Sequence, residues 1–183
     1  MNVLILIGSS SKNSHSYSLG EYVREILNYS ENIQVQMVTL NNLKLPFANP
    51  NYHSSLEKIK DENVQYLLSS LIFLDGIVLI SPNYHGTFSG ILKNTLDILN
   101  TKYISNKPIG IMTNSDGMKS TEPITQLRAV IRSLNGYSIP AQVATSDEDY
   151  IKENNLYILK NEENKQRTAI FVEQLIHFIK QLS

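Results

Sequence analysis

Cysteine is missing from this sequence altogether. Its absence removes disulfides, thiolate nucleophiles, thiolate zinc sites and cysteine-ligated iron–sulfur clusters together. Neither sign of charge dominates: sixteen Lys and Arg against seventeen Asp and Glu leave a formal charge of -1. Such a chain has no global field to gather a polyanion, so neither nucleic acid nor a membrane surface is expected as a partner. Long hydrophobic runs are lacking as well. The apolar "VLILI" at residues 3–7 is too short for a membrane span or a signal-peptide core, and a cytoplasmic protein is expected. Eight glycines nowhere form "GxGxxG", and "GxxxxGK[ST]" does not occur. The dinucleotide and nucleoside-triphosphate loops built on those spacings lose support.

What is present is a regular alternation. With 183 residues, 42% hydrophobic, the chain can bury one full-sized core, and a single domain over residues 1–183 is expected. Short apolar runs at 3–7, 33–40, 77–80, 109–112 and 139–143 read as strands. Continuous runs such as "VLILI" suit strands covered on both faces. The second, "IQVQMVTL", alternates and suits a wetter edge strand. Between the runs lie helical stripes: Leu19, Val23, Ile26 and Leu27; Val64, Leu67, Leu68 and Leu71; residues 91–99; residues 122–134; and Val172, Leu175, Ile176 and Ile179. Five strands alternating with five helices predict an α/β three-layer sandwich, a parallel sheet in order 2-1-3-4-5 with helices on both faces. In that order the loops after strands one and three flank the switch point, where ligands bind.

Those loops are chemically the richest in the chain. "GSSSKNSHS", residues 8–16, has five serines leading into a helix. A helix N-terminus offers unpaired amides and partial positive charge, so this segment reads as a phosphate site or as a serine cap. "SPNYHGTFSGILKN", residues 81–94, supplies Pro82, the aromatic face of Tyr84, and Gly86 and Gly90, which permit close backbone approach. It reads as a cradle for a flat ring or as a packed turn. Its "GTFSG" places serine one position too late for a nucleophile elbow, which argues against hydrolase chemistry. "TNSDGMKS", residues 113–120, is a turn by composition and borders the same crevice by position. The acidic run "SDEDY", residues 146–150, reads as a solvated loop.

Taken together, "SPNYHGTFSGILKNTLD", residues 81–97, resembles the flavin loop of the NADPH-dependent FMN reductase family, flavodoxin-like proteins, and within it the azobenzene reductase branch. Gly8, Ser9 and Ser14 match the family's "GSxRxxS" phosphate loop, and "EPITQLRAVIRSLNGYSIP" resembles its fourth helix and fifth-strand approach. The resemblance runs over nearly the whole chain. It implies an FMN-dependent oxidoreductase of azoreductase type, fed by NADPH or NADH and reducing a small acceptor such as an azo compound, quinone or flavin in two half-reactions. A flavodoxin-like electron carrier, which would not use NAD(P)H directly, is the alternative. The resemblance also implies a homodimer, or a tetramer, and the apolar Ile91, Leu92, Thr95, Leu96, Ile98 and Leu99 are expected to offer surplus surface for it. The cofactor-binding residues it implies are Ser9, Ser11, Lys12, Ser14, His15 and Ser16; Pro82, Asn83, Tyr84, His85 and Gly86; and Asn114, Ser115 and Gly117. No catalytic side chain and no metal ligand is implied, since the flavin carries the chemistry. One departure stands out: Ser11 occupies the position where the family usually has arginine, and lysine at the adjacent Lys12 does not reproduce a bidentate guanidinium.

Overall fold

The structure is a computed structural model that describes residues 1–53 and 56–182. Its elements run β1 (Asn2–Ile7), α1 (His15–Asn28), β2 (Gln34–Thr39), α2 (Leu40–Leu43), α3 (Glu62–Ser69), β3 (Gly76–Tyr84), β4 (Thr87–Phe88), α4 (Gly90–Ile98), α5 (Thr101–Ile104), β5 (Pro108–Ser115), α6 (Glu122–Ser133), β6 (Tyr137–Ser146), β7 (Tyr150–Glu153), β8 (Leu156–Leu159) and α7 (Glu162–Leu182). The parallel sheet has the order β2-β1-β3-β5-β6. This is the expected flavodoxin-like sheet with its numbering shifted by one small strand: β4 folds back antiparallel on the end of β3.

The continuous apolar runs are explained by burial on both faces. Along β1, Val3, Ile5 and Ile7 join Leu19, Val23 and Leu27 of α1 and Phe171, Val172 and Leu175 of α7 in one core. Leu4 and Leu6 point the other way, into a second core with α3, α4 and α6. The alternating strand β2 lies at the sheet edge, with three of its residues half-buried in succession. At the other edge, β6 contains Pro140 beside the register shift opposite Ile109/Ile111, where a missing N–H costs no regular ladder bond.

Three expectations need correction. Strand β3 continues to Tyr84 and β5 to Ser115, so residues 82–84 and 113–115 belong to strands, not loops. Parallel pairing carries on through Pro82↔Asn114 and Asn114↔Thr145, and this long-range pairing overrides their turn-forming composition. Second, residues 146–150 are no solvated loop. Residues Asp147–Asp149 form a 3₁₀ turn with a capping box, in which the Asp149 carboxylate accepts from the Ser146 amide at 2.8 Å, and Asp149 and Tyr150 are buried. An antiparallel hairpin, β7–β8, follows through Asn154 and Asn155, both at positive φ. Third, the apolar side of α4 is not surplus: Leu92, Thr95, Leu96, Ile98 and Leu99 are all buried in this chain's own core.

Candidate functional site

At the switch point between β1 and β3 the chain leaves β1 at Gly8, whose amide donates to the Ile80 carbonyl at 2.7 Å. Ser89, the N-cap of α4, donates its hydroxyl to the Gly8 carbonyl and accepts from the Leu92 amide at 3.3 Å, while its own amide donates to Ser81 Oγ at 2.9 Å. One buried hydroxyl thus ties the first loop to the second. A Cβ on Gly8 would stand 2.9 Å from Leu92 Cβ, so the close approach requires glycine. Ser89 is only 1% exposed, which disposes of the nucleophile reading of "GTFSG".

Beyond this junction lies a cleft of about 530 Å³. It is lined by Ser9, Ser11, Asn13, Ser14, His15 and Ser16 from the first loop and α1, by Pro82, Asn83, Tyr84 and His85 from β3 and its turn, and by Asn114, Asp116, Asp147 and Tyr157. Ten expected residues therefore converge: Ser9, Ser11, Ser14, His15, Ser16, Pro82, Asn83, Tyr84, His85 and Asn114. Four do not line it. Lys12 is exposed outside the lining. Gly86, with φ +80, completes the β3–β4 turn behind His85, φ 55, in the type I′ pattern. Ser115 is buried behind Asn83, accepting from its Nδ2 at 3.4 Å, and Gly117, φ +71, turns the chain out of β5. Gly90 opens α4 with nothing near its would-be Cβ.

Asn13, Asp116, Asp147 and Tyr157 are additional lining residues. Asp147 and Tyr157 arrive from the capping box and the hairpin; the Ser-x-x-Asp spacing at 146–149 and the paired asparagines at 154–155 were the available signals. The Ser18 hydroxyl donates to the Tyr157 carbonyl, pinning the hairpin to α1. A polar chain runs beneath the cleft: Tyr150 OH and Thr145 Oγ1 lie 2.9 Å apart, Thr145 Oγ1 donates to Asn114 Oδ1 at 2.9 Å, and Asn114 Nδ2 donates to Asp147 Oδ1 at 2.9 Å. His15 Nδ1 lies 3.0 Å from the same carboxylate oxygen. Burial pulls the His15 imidazole below its ordinary pKa, opposed by the carboxylates of Asp147 and then Asp116. Burial also pushes the Tyr150 phenol well up, which keeps it a neutral hydrogen-bonding group.

The residues present suit a flavin phosphate ester. Ser14 caps α1 by accepting from the Tyr17 amide at 3.1 Å, and the amides of His15 and Ser16 have no acceptor among the described residues. An anion at that helix start would satisfy them. In the cleft, the buried Asn83 Oδ1 has no hydrogen-bond partner among the described residues, an orphaned acceptor that a ring N–H would complete. A neighbouring groove of about 410 Å³ between α1 and β8, lined by Glu21, Arg24 and Glu25 among others, shares only Asn13, Ser14 and Tyr157 with the cleft. Among the described residues, no group of three or more metal-ligating side chains could hold a metal ion, and no helix is long and apolar enough to cross a membrane.

Comparison with known proteins decides the family. The sequence pattern of NADPH-dependent FMN reductase matches residues 1–149, more than half of the chain. The FMN-dependent NADPH-azoreductase of Staphylococcus aureus is 38% identical over 98% of this chain and 95% of its own. The chain belongs to the NADPH-dependent FMN reductase family. Its members are oxidoreductases, and this chain is an FMN-dependent NAD(P)H oxidoreductase with FMN as cofactor. Among solved structures, the flavoenzyme NAD(P)H:(acceptor) oxidoreductase FerB of Paracoccus denitrificans superposes with a TM-score of 0.77 at 19% identity, over 98% of this chain and 97% of that one. A flavodoxin of Streptococcus pneumoniae superposes at 0.64 with 13% identity, over 97% and 99%. Both likenesses concern the fold, which reductase and carrier share.

Proposed function

We propose that this FMN reductase takes electrons from NADPH and delivers them to a small aromatic acceptor of the azo or quinone class, with the cleft between β1, β3 and β5 as its flavin site. The observation carrying this reading is the convergence, at the sheet's switch point, of serine hydroxyls, unpaired helix amides and an orphaned Asn83 oxygen in one cleft. In this reading Ser9, Ser11, Ser14, His15 and Ser16 hold the phosphate. Pro82, Asn83, Tyr84 and His85 line the ring, while Gly86, Asn114, Ser115 and Gly117 shape its surroundings. Lys12 adds an exposed charge nearby. When bound, FMN supplies the hydride chemistry, accepting from the nicotinamide and passing reducing equivalents to the acceptor. The chain's tasks are to anchor the phosphate, keep one ring face open and exclude side reactions. That division of labour accounts for a cleft without a nucleophile–base pair. A single domain over 1–183 and a cytoplasmic setting, where NADPH is supplied, belong to the same proposal.

Anaerobic mixing of the FMN-loaded protein with NADPH is expected to bleach the yellow absorbance, and an azo dye added next to restore it. Bleaching by a reduced redox protein but by neither NADPH nor NADH would replace this reading with that of an electron carrier.

A homodimer, or a tetramer built from it, is proposed on family membership, since the apolar residues of α4 are spent within the monomer. The fully exposed Phe47, Phe73 and Met118, each more than 80% accessible, are candidates for burial in it. Light scattering at micromolar concentration is expected to report twice the chain mass; a monomer alone would refute the assembly.

A further inference from the structure

Resting on the cleft as the FMN site, we infer that His15, steered by Asp147, is the titratable cation that grips the cofactor's phosphate monoester in place of the arginine that Ser11 displaces. The cleft lining contains no lysine and no arginine. Yet it carries two carboxylates, Asp116 and Asp147, which repel a phosphate dianion. A group that becomes positive only when the phosphate arrives resolves that conflict. His15 is built for this. It is the first residue of α1, so its ring stands at the helix end whose amides are unpaired. Asp147 Oδ1 accepts from Nδ1 and from Asn114 Nδ2, and Asn114 is held in turn by the Thr145 hydroxyl, which donates to its Oδ1. The ring packs between Tyr157, with centroids 3.8 Å apart, and Tyr150, at 4.7 Å. Nε2 has no partner among the described residues and is the nitrogen left to donate.

The charges around the ring set the sign. Asp147 comes from the 3₁₀ turn and Asp116 from the loop after β5, and both favour the imidazolium. Burial opposes them and prevails in the free protein. From β7–β8 the neighbours are the phenols of Tyr150 and Tyr157, with Lys152 Nζ 5.6 Å from the Tyr157 ring. Asp149, at the end of the same turn, is already paired with Lys119 at 3.1 Å. Across the cleft His85 is a second imidazole, and Lys12 is exposed outside the lining. Binding a dianion raises the His15 pKa. The extra affinity is therefore complete below the pKa of the free protein and is lost as pH rises through that of the complex.

The test titrates FMN, and in parallel riboflavin, into flavin-free protein by fluorescence quenching, with calorimetry in buffers of different ionisation enthalpy to count protons. Working above about pH 7 keeps the free phosphate dianionic, its own second pKa being about 6. FMN affinity is expected to fall about tenfold between about pH 7 and about pH 9, with a proton taken up on binding, while riboflavin shows neither effect. His15→Gln should weaken FMN about tenfold near neutral pH, flatten the profile and leave riboflavin binding intact. Adding Ser11→Arg to His15→Gln should restore affinity without restoring the pH dependence. Asp147→Asn, which keeps the imidazole but removes a carboxylate, should move the profile to lower pH, and serves if His15→Gln fails to fold. A flat profile in the parent, a slope that survives His15→Gln and vanishes in His85→Gln, or an unmoved midpoint in Asp147→Asn would overturn the inference while leaving the flavin site standing. Binding of neither flavin would overturn both.

Discussion

Gly110→Ala is expected to destabilise the protein by about 3 kcal/mol, the upper part of the range for overpacked cores. Gly110 lies in β5, an interior strand of the sheet, and a Cβ there would meet Phe171 Cζ at 2.2 Å, with the two adjoining ring carbons at 2.9 and 3.0 Å. That ring is fully buried under α7 and has no open space to retreat into. For a chain of this size each kcal/mol moves the melting temperature by about 2–4 °C, so thermal unfolding should begin to show a loss of about 6–12 °C. Phe171→Leu removes the colliding atom. Combined with Gly110→Ala it should cost less than the sum of the single changes, a coupling that a double-mutant cycle measures directly. A Gly110→Ala protein that melts with the parent would mean that α7 shifts freely over the sheet.

Saturation of flavin-free protein with FMN should raise its melting temperature by about 5–10 °C. At a free concentration about a hundredfold above Kd, ligand bound only by the folded state contributes about 2.7 kcal/mol. The structural reason is local: the His15 and Ser16 amides and the Asn83 Oδ1 are polar groups that folding brings together without partners among the described residues. A ligand satisfying them removes that cost from the folded state alone. Riboflavin, lacking the phosphate, should give a clearly smaller shift at the same concentration. Equal shifts would show that the serine loop and α1 contribute nothing to binding, and no shift with either flavin would remove the cleft as a cofactor site.

Much of this molecule is written in its local pattern. The continuous runs at 3–7, 77–80 and 109–112 required strands covered on both sides, and the alternation Ile33, Val35, Met37 identified the edge. Serines preceding the stripe Leu19–Val23–Leu27 marked a helix start with anion-binding capacity. Such signals are readable because burial periodicity and capping depend on neighbours in sequence. Strand β4 is two residues long and β7 and β8 four each, too short for any periodicity to register. Their existence depends on partners such as Asn83↔Phe88 and Ile151↔Ile158, which only the folded chain supplies. The same holds for the cleft's chemistry. His15 was visible as part of a polar loop, but its partner Asp147 lies 132 positions later in an acidic run that composition describes as solvent-facing. Tertiary structure brought the two within 3.0 Å, because the start of α1 and the turn after β6 both lie at the carboxyl end of the parallel strands. Sequence by itself thus determined the sandwich, the switch point and the serine-capped helix start. Only the packing of distant segments decided which charges face the cleft, since electrostatic environment is a property of neighbours in space.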